Sequence, residues 1–145
     1  MKEGSMDKAS YERRQDEIIL RKNKRIEMLE RKQEENRKTQ EKLEQAADLA
    51  FDQSRQEIER IRQRIYDGLL PARFEGECVE IDHAFKRFQI AYEDELNDLR
   101  RQSRDLDRQG EEAYAEYRRQ LTRLQEEYMT KPDDGDEENQ RINIE

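Results

Sequence analysis

Asp67-Gly68-Leu69-Leu70-Pro71-Ala72-Arg73-Phe74-Glu75-Gly76-Glu77-Cys78 decides the fold, because it interrupts two long stretches that otherwise read as unbroken helix. Gly68 can take the left-handed conformation that ends a helix, and Pro71 forbids simple continuation. The chain is therefore expected to turn over residues 68–78, with one helix before it (about 8–67) and one after it (about 79–130).

On the N-terminal side, apolar and small residues step by threes and fours through Tyr11, Ile18, Ile26, Leu29, Leu43, Ala47, Ala50, Ser54, Ile58, Ile61 and Ile65. Gln15, Lys22, Gln33, Asn36 and Gln40 occupy the intervening seam positions. The second stretch repeats the pattern through Ile81, Phe85, Phe88, Tyr92, Leu96, Leu99, Ser103, Leu106, Gly110, Ala113, Tyr117, Leu121, Leu124 and Tyr128. A mean step of about 3.6 is the period of a straight helix, and the two would be roughly 90 and 75 Å long. The fold class is all-α: an elongated, coiled-coil-like antiparallel two-helix hairpin.

A turn centred near residue 73 makes residues whose numbers sum to about 146 face one another. That register sets Ile65 by Ile81, Ile61 by Phe85 and Ile58 by Phe88, with Ala50 and Ala47 against Leu96 and Leu99, and Leu29 against Tyr117. It also sets Gln33, Asn36 and Gln40 against Ala113, Gly110 and Leu106, so this middle section is expected to be the loosest, its amides wet or partnered by another chain.

Composition supports a thin fold. Of 145 residues 32% are hydrophobic and 46% charged, too little apolar side chain for a sizeable globular core. Gly and Pro number 5 and 2, and the abundant Glu, Arg, Gln, Lys, Leu and Ala are the residues a helix tolerates best. Both signs of charge interleave and the net charge is -8, so Arg13-Arg14, Lys22-Asn23-Lys24-Arg25 and Arg100-Arg101 read as solvated faces rather than a phosphate-binding track. No nucleic-acid partner is expected. From Lys131 the run Lys-Pro-Asp-Asp-Gly-Asp-Glu-Glu-Asn has no apolar periodicity, and 131–145 is expected to be a disordered acidic tail, as 1–7 is a disordered N-terminus.

Neither a bilayer-spanning apolar run nor the apolar stretch of a signal peptide occurs in the sequence, so the expected compartment is the cytoplasm, without membrane insertion. Cys78 stands alone, which rules out an intramolecular disulfide, and no Cys/His cluster suggests a metal. Cys78 lies near the start of the second helix, where thiolate character could arise, but Glu77 and Glu80 oppose it and a small buried hydrophobe is the preferred assignment. His83 has no Ser, Cys or second His at a useful spacing and reads as a surface residue. No catalytic residue, metal or cofactor is assigned, and no enzyme activity is expected.

Apolar residues off the seam remain: Ile19, Leu20, Met28, Phe51, Ile90 and Tyr114, with Leu69, Leu70 and Phe74 in the turn. A hairpin buries one stripe per helix, so these suggest that further helices complete the core. Phe51, Leu69, Leu70, Phe74 and Ile90 are the expected partner-binding residues. Ile58, Ile61, Ile65, Phe85, Phe88, Tyr92, Leu96 and Leu99 are the expected hairpin seam.

The run Leu96-Asn97-Asp98-Leu99-Arg100-Arg101-Gln102-Ser103-Arg104-Asp105-Leu106, continuing to Tyr114-Ala115-Glu116-Tyr117-Arg118-Arg119-Gln120-Leu121, together with the hairpin length and turn position, resembles a known group. These are the small α-helical accessory proteins encoded beside LXG-domain toxins of Gram-positive type VII secretion systems, related in shape to WXG-like helical hairpins. The resemblance spans roughly Ala46 to Glu127. It implies a targeting chaperone that binds the helical N-terminal region of an LXG toxin, together with a second small helical accessory in many cases, with co-export left open. The sequence has no Trp, and Phe74-Glu75-Gly76 is the nearest counterpart of a W-x-G turn. No acidic residue follows Tyr114, Tyr117 or Tyr128 at the fourth position, so the resemblance places an export signal on the partner. The alternative function is a self-associating coiled-coil scaffold, a homodimer burying the same off-seam residues.

Overall fold

In the computed structural model the backbone is described for residues 6–144 and side chains for residues 6–129; expectations for 1–5 and for the side chains of 130–145 lie outside the described residues. The elements are α1 (Lys8–Tyr66), a 3-10 turn (Ala72–Phe74) and α2 (Glu75–Ile144), and the two long helices pack against each other as an antiparallel hairpin.

α1 starts at a side-chain cap. The backbone N–H of Ser10 donates to Asp7 Oδ1 at 2.7 Å, satisfying one of the amides a helix start leaves open. Its end is a Schellman turn. Gly68, at φ 76°, donates its N–H to Ile65 O (3.1 Å) and Leu69 donates to Arg64 O (2.8 Å). Pro71 precedes the 3-10 turn, and Phe74 N–H donates back to Pro71 O at 3.1 Å. α2 then begins at Glu75, four residues earlier than expected. Glu75 and Glu77 lie in its first turn, where negative charge favours the positive end of the helix dipole. Gly76 is accommodated there as an ordinary helical residue. At the far end α2 runs on in its backbone through 131–144, past Pro132 and into the segment expected as a tail; extending an existing helix costs far less than nucleating one.

Contacts divide the chain into two units, Gln33–Asp105 and Met1–Lys32 with Leu106–Glu145. In the first unit the register differs from expectation. Cys78 Sγ lies 3.9 Å from Ile58 O, where Phe88 was expected opposite Ile58. Phe51 meets Phe85, with ring centroids 5.5 Å apart, rather than Glu95. Ile61, Ala50 and Ala47 likewise lose their expected partners Phe85, Leu96 and Leu99, because α1 residues pair about ten positions earlier along α2. The reason lies in the turn: the reversal is centred on Gly68, and residues 69–74 already belong to the returning leg.

The shift changes the amide section too. Asn36, buried to 7% exposure, donates Nδ2 to Leu99 O at 2.9 Å and accepts from Gln40 Nε2. Gln33 donates to Ser103 O and accepts from Ser103 Oγ, both at 2.9 Å. The expected wet, loose layer is instead a hydrogen-bonded one within the chain. Buried side-chain nitrogens and oxygens without a partner are absent among the described residues.

In the second unit Tyr11 stacks on Tyr128 with centroids 4.3 Å apart, and Arg14 pairs with Glu127 at 3.1 Å. Ile18, Leu29, Ala113 and Leu124 form its buried line. Tyr117 faces Lys22, whose Nζ is 4.7 Å from the ring centroid, rather than Leu29. Lys22 is thus half-buried over Tyr117 and Tyr114 and is not the solvated base its Lys-Asn-Lys-Arg context suggested; the ring quadrupole attracts the ammonium.

Candidate interaction surface

The hairpin within Gln33–Asp105 offers two flanks beside its seam. The first mixes large apolar and charged side chains. Phe51, Ser54, Arg55, Ile58, Glu59 and Arg62 of α1, with Asp82 and Phe85 of α2, line a shallow groove of about 260 Å3. Arg62 Nε donates to Glu75 Oε1 at 2.9 Å across its end, and this carboxylate holds the guanidinium above its ordinary pKa. Arg55 lies over the Phe51 ring at 5.9 Å. Phe51, 49% exposed, therefore does have an intramolecular partner in Phe85.

The opposite flank is apolar. Spacing by threes and fours puts Leu43, Ala46, Ala50, Gln53 and Glu57 on one edge of α1, and Glu77, Ala84, Phe88, Ala91 and Glu95 on one edge of α2. The register seats residues 43–54 against 82–93, so the two edges adjoin. Ala46, Ala84 and Ala91 are exposed, Leu43 and Ala50 half-buried, and Phe88 retains 37% exposure. Phe88 is stacked between Phe85 and Tyr92, at 6.3 and 6.5 Å. Charges of both signs border this flank: Lys42 lies four residues before Ala46, and Arg87 lies between Ala84 and Ala91 on α2. Glu57 pairs with Arg60, whereas Glu77, Glu80 and Glu95 have no ion pair among the described residues.

The five expected partner-binding residues are not brought together. Phe51 is on the flank that carries the groove; Ile90, 62% exposed, is on the outer face of α2. Leu69, Leu70 and Phe74 share the turn, Leu69 at 70% exposure and the other two half-buried, with Arg73 over the Phe74 ring at 5.6 Å. Among the expected seam residues, Ile61, Leu96 and Leu99 are buried, Ile58, Ile65, Phe85 and Tyr92 half-buried, and Phe88 lies at the margin. Of the alanine flank, Leu43, Ala50 and Phe88 are legible as seam positions, whereas Ala46, Ala84 and Ala91 are not singled out because alanine reads as helix filler. Its signal is present in the sequence as an Ala-x3-Phe-x2-Ala spacing beside the seam.

Cys78 is 1% exposed, and burial with Glu75 nearby pushes its thiol above the ordinary value, opposing thiolate chemistry. His83 is exposed. No three His, Cys, Asp or Glu side chains among the described residues are grouped to hold a metal ion, and no helix among them is long and apolar enough to cross a membrane. Comparison with protein families, curated proteins and solved structures finds no match to this chain.

Proposed function

We propose that the chain is a helix-binding accessory protein whose hairpin completes a helical bundle with a region of another protein. The observation that supports this is the number of large apolar side chains left exposed beside a narrow seam, among them Leu20, Leu49, Leu69, Phe88 and Ile90. Each such side chain covered by a partner would contribute roughly 1.5 to 3 kcal/mol, a strong drive for so thin a fold. The resemblance of residues 46–127 specifies the partner class as the helical N-terminal region of an LXG toxin, bound in the cytoplasm before type VII export, a binding role without catalysis.

Co-expression with such a toxin region tests the proposal. A stable complex whose light-scattering mass contains one or more copies of each chain supports it. A second assignment, the self-associating scaffold, is favoured by exposure on both helices, since a symmetric four-helix dimer would cover both. A tight homodimer that ignores the toxin region would establish the scaffold instead.

A further inference from the structure

We propose that the groove lined by Phe51, Ile58 and Phe85, with the acidic strip of Glu44, Asp48 and Glu93 that continues it away from the turn, is the docking site for a basic amphipathic helix of another protein. This rests on the helix-binding function proposed above and names the surface that performs it.

Shape gives the first argument. At about 260 Å3 the groove falls below the roughly 300 Å3 at which small-molecule sites begin, and it suits single side chains of a packed helix instead. Phe51 is 49% exposed while Ile58 and Phe85 are half-buried, so a Leu or Phe side chain seated there would take apolar surface on both helices out of water.

Charge gives the second argument and selects the occupant. The stretches Leu43–Ser54 and Phe88–Leu99 contain no Lys or Arg and seven carboxylates, and the register brings them alongside each other. By helical spacing the basic groups on this flank between Glu44 and Arg62 of α1 and between Glu75 and Glu93 of α2 are Arg55, Arg62 and Lys86. Arg62 is held by Glu75 and Lys86 by Asp82, each at 2.9 Å, and Arg55 lies over the Phe51 ring. Glu44, Asp48, Asp52, Glu59 and Glu93 share the flank with no ion pair among the described residues; Arg55, between Asp52 and Glu59, can neutralise one of them. The next basic groups along the flank are Arg37, already between Glu34 and Glu41, and Arg100, two turns beyond Glu93. An excess of carboxylate therefore remains, and Lys or Arg on an incoming helix would pair with it. A second copy docked by two-fold symmetry would set this excess against itself, which like-charge repulsion disfavours. The opposite flank balances its glutamates with Lys42, Arg60, Arg64 and Arg87, and charge selects neither sign there.

The test uses the full chain and two synthetic helical peptides of about 25 residues, long enough to reach from Glu44 to Arg62. Both carry a Leu stripe, one flanked by Lys and the other by Glu. Fluorescence anisotropy should show binding about tenfold tighter or more for the Lys-flanked peptide, weakening as salt rises. The triple variant Glu44→Lys, Asp48→Lys and Glu93→Lys changes exposed helical positions to another good helix former, so circular dichroism should stay unchanged while this preference disappears. Glu57→Lys, Glu80→Lys and Glu95→Lys together make the same change in net charge on the opposite flank and should retain it. Phe51→Gln, which removes an apolar wall of the groove at an exposed position, should weaken both peptides. No binding by the Lys-flanked peptide, equal binding of the two peptides, or equal losses in the two triple variants overturns the proposal. So does a homodimer of the parent that Phe51→Gln dissociates, since a second copy would then occupy the groove. A complex with the LXG toxin region that survives both Phe51→Gln and the first triple would reject this surface and leave the accessory function standing, whereas failure to form that complex at all would reject the accessory function.

Discussion

Asn36 is the residue whose chemistry most constrains the hairpin. Its Nδ2 donates to Leu99 O and its Oδ1 accepts from Gln40, so each half of the buried amide has a partner inside the helix pair. Asn36→Asp would replace the donor by a carboxylate oxygen facing a carbonyl, and should cost about 1 to 3 kcal/mol in urea unfolding, more at pH 7 than at pH 3. Asn36→Leu should cost less than Asn36→Asp, because it buries no charge, and the half-buried Gln40 that loses its acceptor can turn to water. On the surface, the backbone N–H of Ser10 holds Asp7 below its ordinary 3.8, and Arg37 and Arg119 hold Glu34 and Glu116 below their ordinary 4.5. A lowered folded pKa contributes stability that is present above the ordinary value and is lost as pH falls through the lowered one. Helicity should therefore fall on acidification below about pH 4, and the combined Asp7→Asn, Glu34→Gln and Glu116→Gln variant should show a flatter acid limb by circular dichroism than the parent. An identical limb in both would show that these interactions contribute nothing.

At the scale of the elements, the turn and the register are one problem. Gly68 has φ 76° and open space where a Cβ would go, so Gly68→Ala meets no clash and should cost only the left-handed backbone penalty, about 1 to 2 kcal/mol. Thermal unfolding of the variant measures this; no loss would mean that the helix ends without the left-handed residue. The pairing itself can be read by oxidation. Ile58→Cys should form a disulfide with native Cys78, whose Sγ lies against the Ile58 carbonyl. Ile58→Cys with Phe88→Cys in a Cys78→Ser background should not, since a disulfide needs Cα atoms within about 7 Å. The reverse pattern would restore the turn centred near residue 73.

For the molecule as a whole, the energetic question is what covers the apolar surface that two helices cannot. Charge surrounds the exposed Leu and Phe, with 46% charged residues and a net charge of -8, and opposes their non-specific association. A partner that binds only the folded hairpin stabilises it by mass action, about 2.7 kcal/mol at a hundredfold excess over Kd. Under the proposed function, adding the N-terminal region of an LXG toxin should raise the thermal midpoint in a concentration-dependent way. A midpoint indifferent to that region would remove the energetic basis for the accessory function.

The amino-acid sequence by itself determined which side of each helix is covered. Every seam position from Tyr11 to Ile65 is buried or half-buried, as is every one from Ile81 to Tyr128 except Phe88 at the margin. This was legible because a 3.6-residue period sets the angular phase of a helix wherever its partner lies. The tertiary structure alone decided how far one helix slides along the other. Periodic stripes match at many offsets, and Ile58 has an apolar side chain to meet whether it faces Phe88 or Cys78. What separates the offsets is the left-handed turn at Gly68 and the hydrogen bonds of Gln33 and Asn36 to the Ser103 and Leu99 carbonyls. Every residue carries a backbone carbonyl, so no side-chain pattern could announce those partners. The alanine flank follows from the same cause: Ala46, Ala50, Ala84 and Ala91 become one surface only at the register those bonds select.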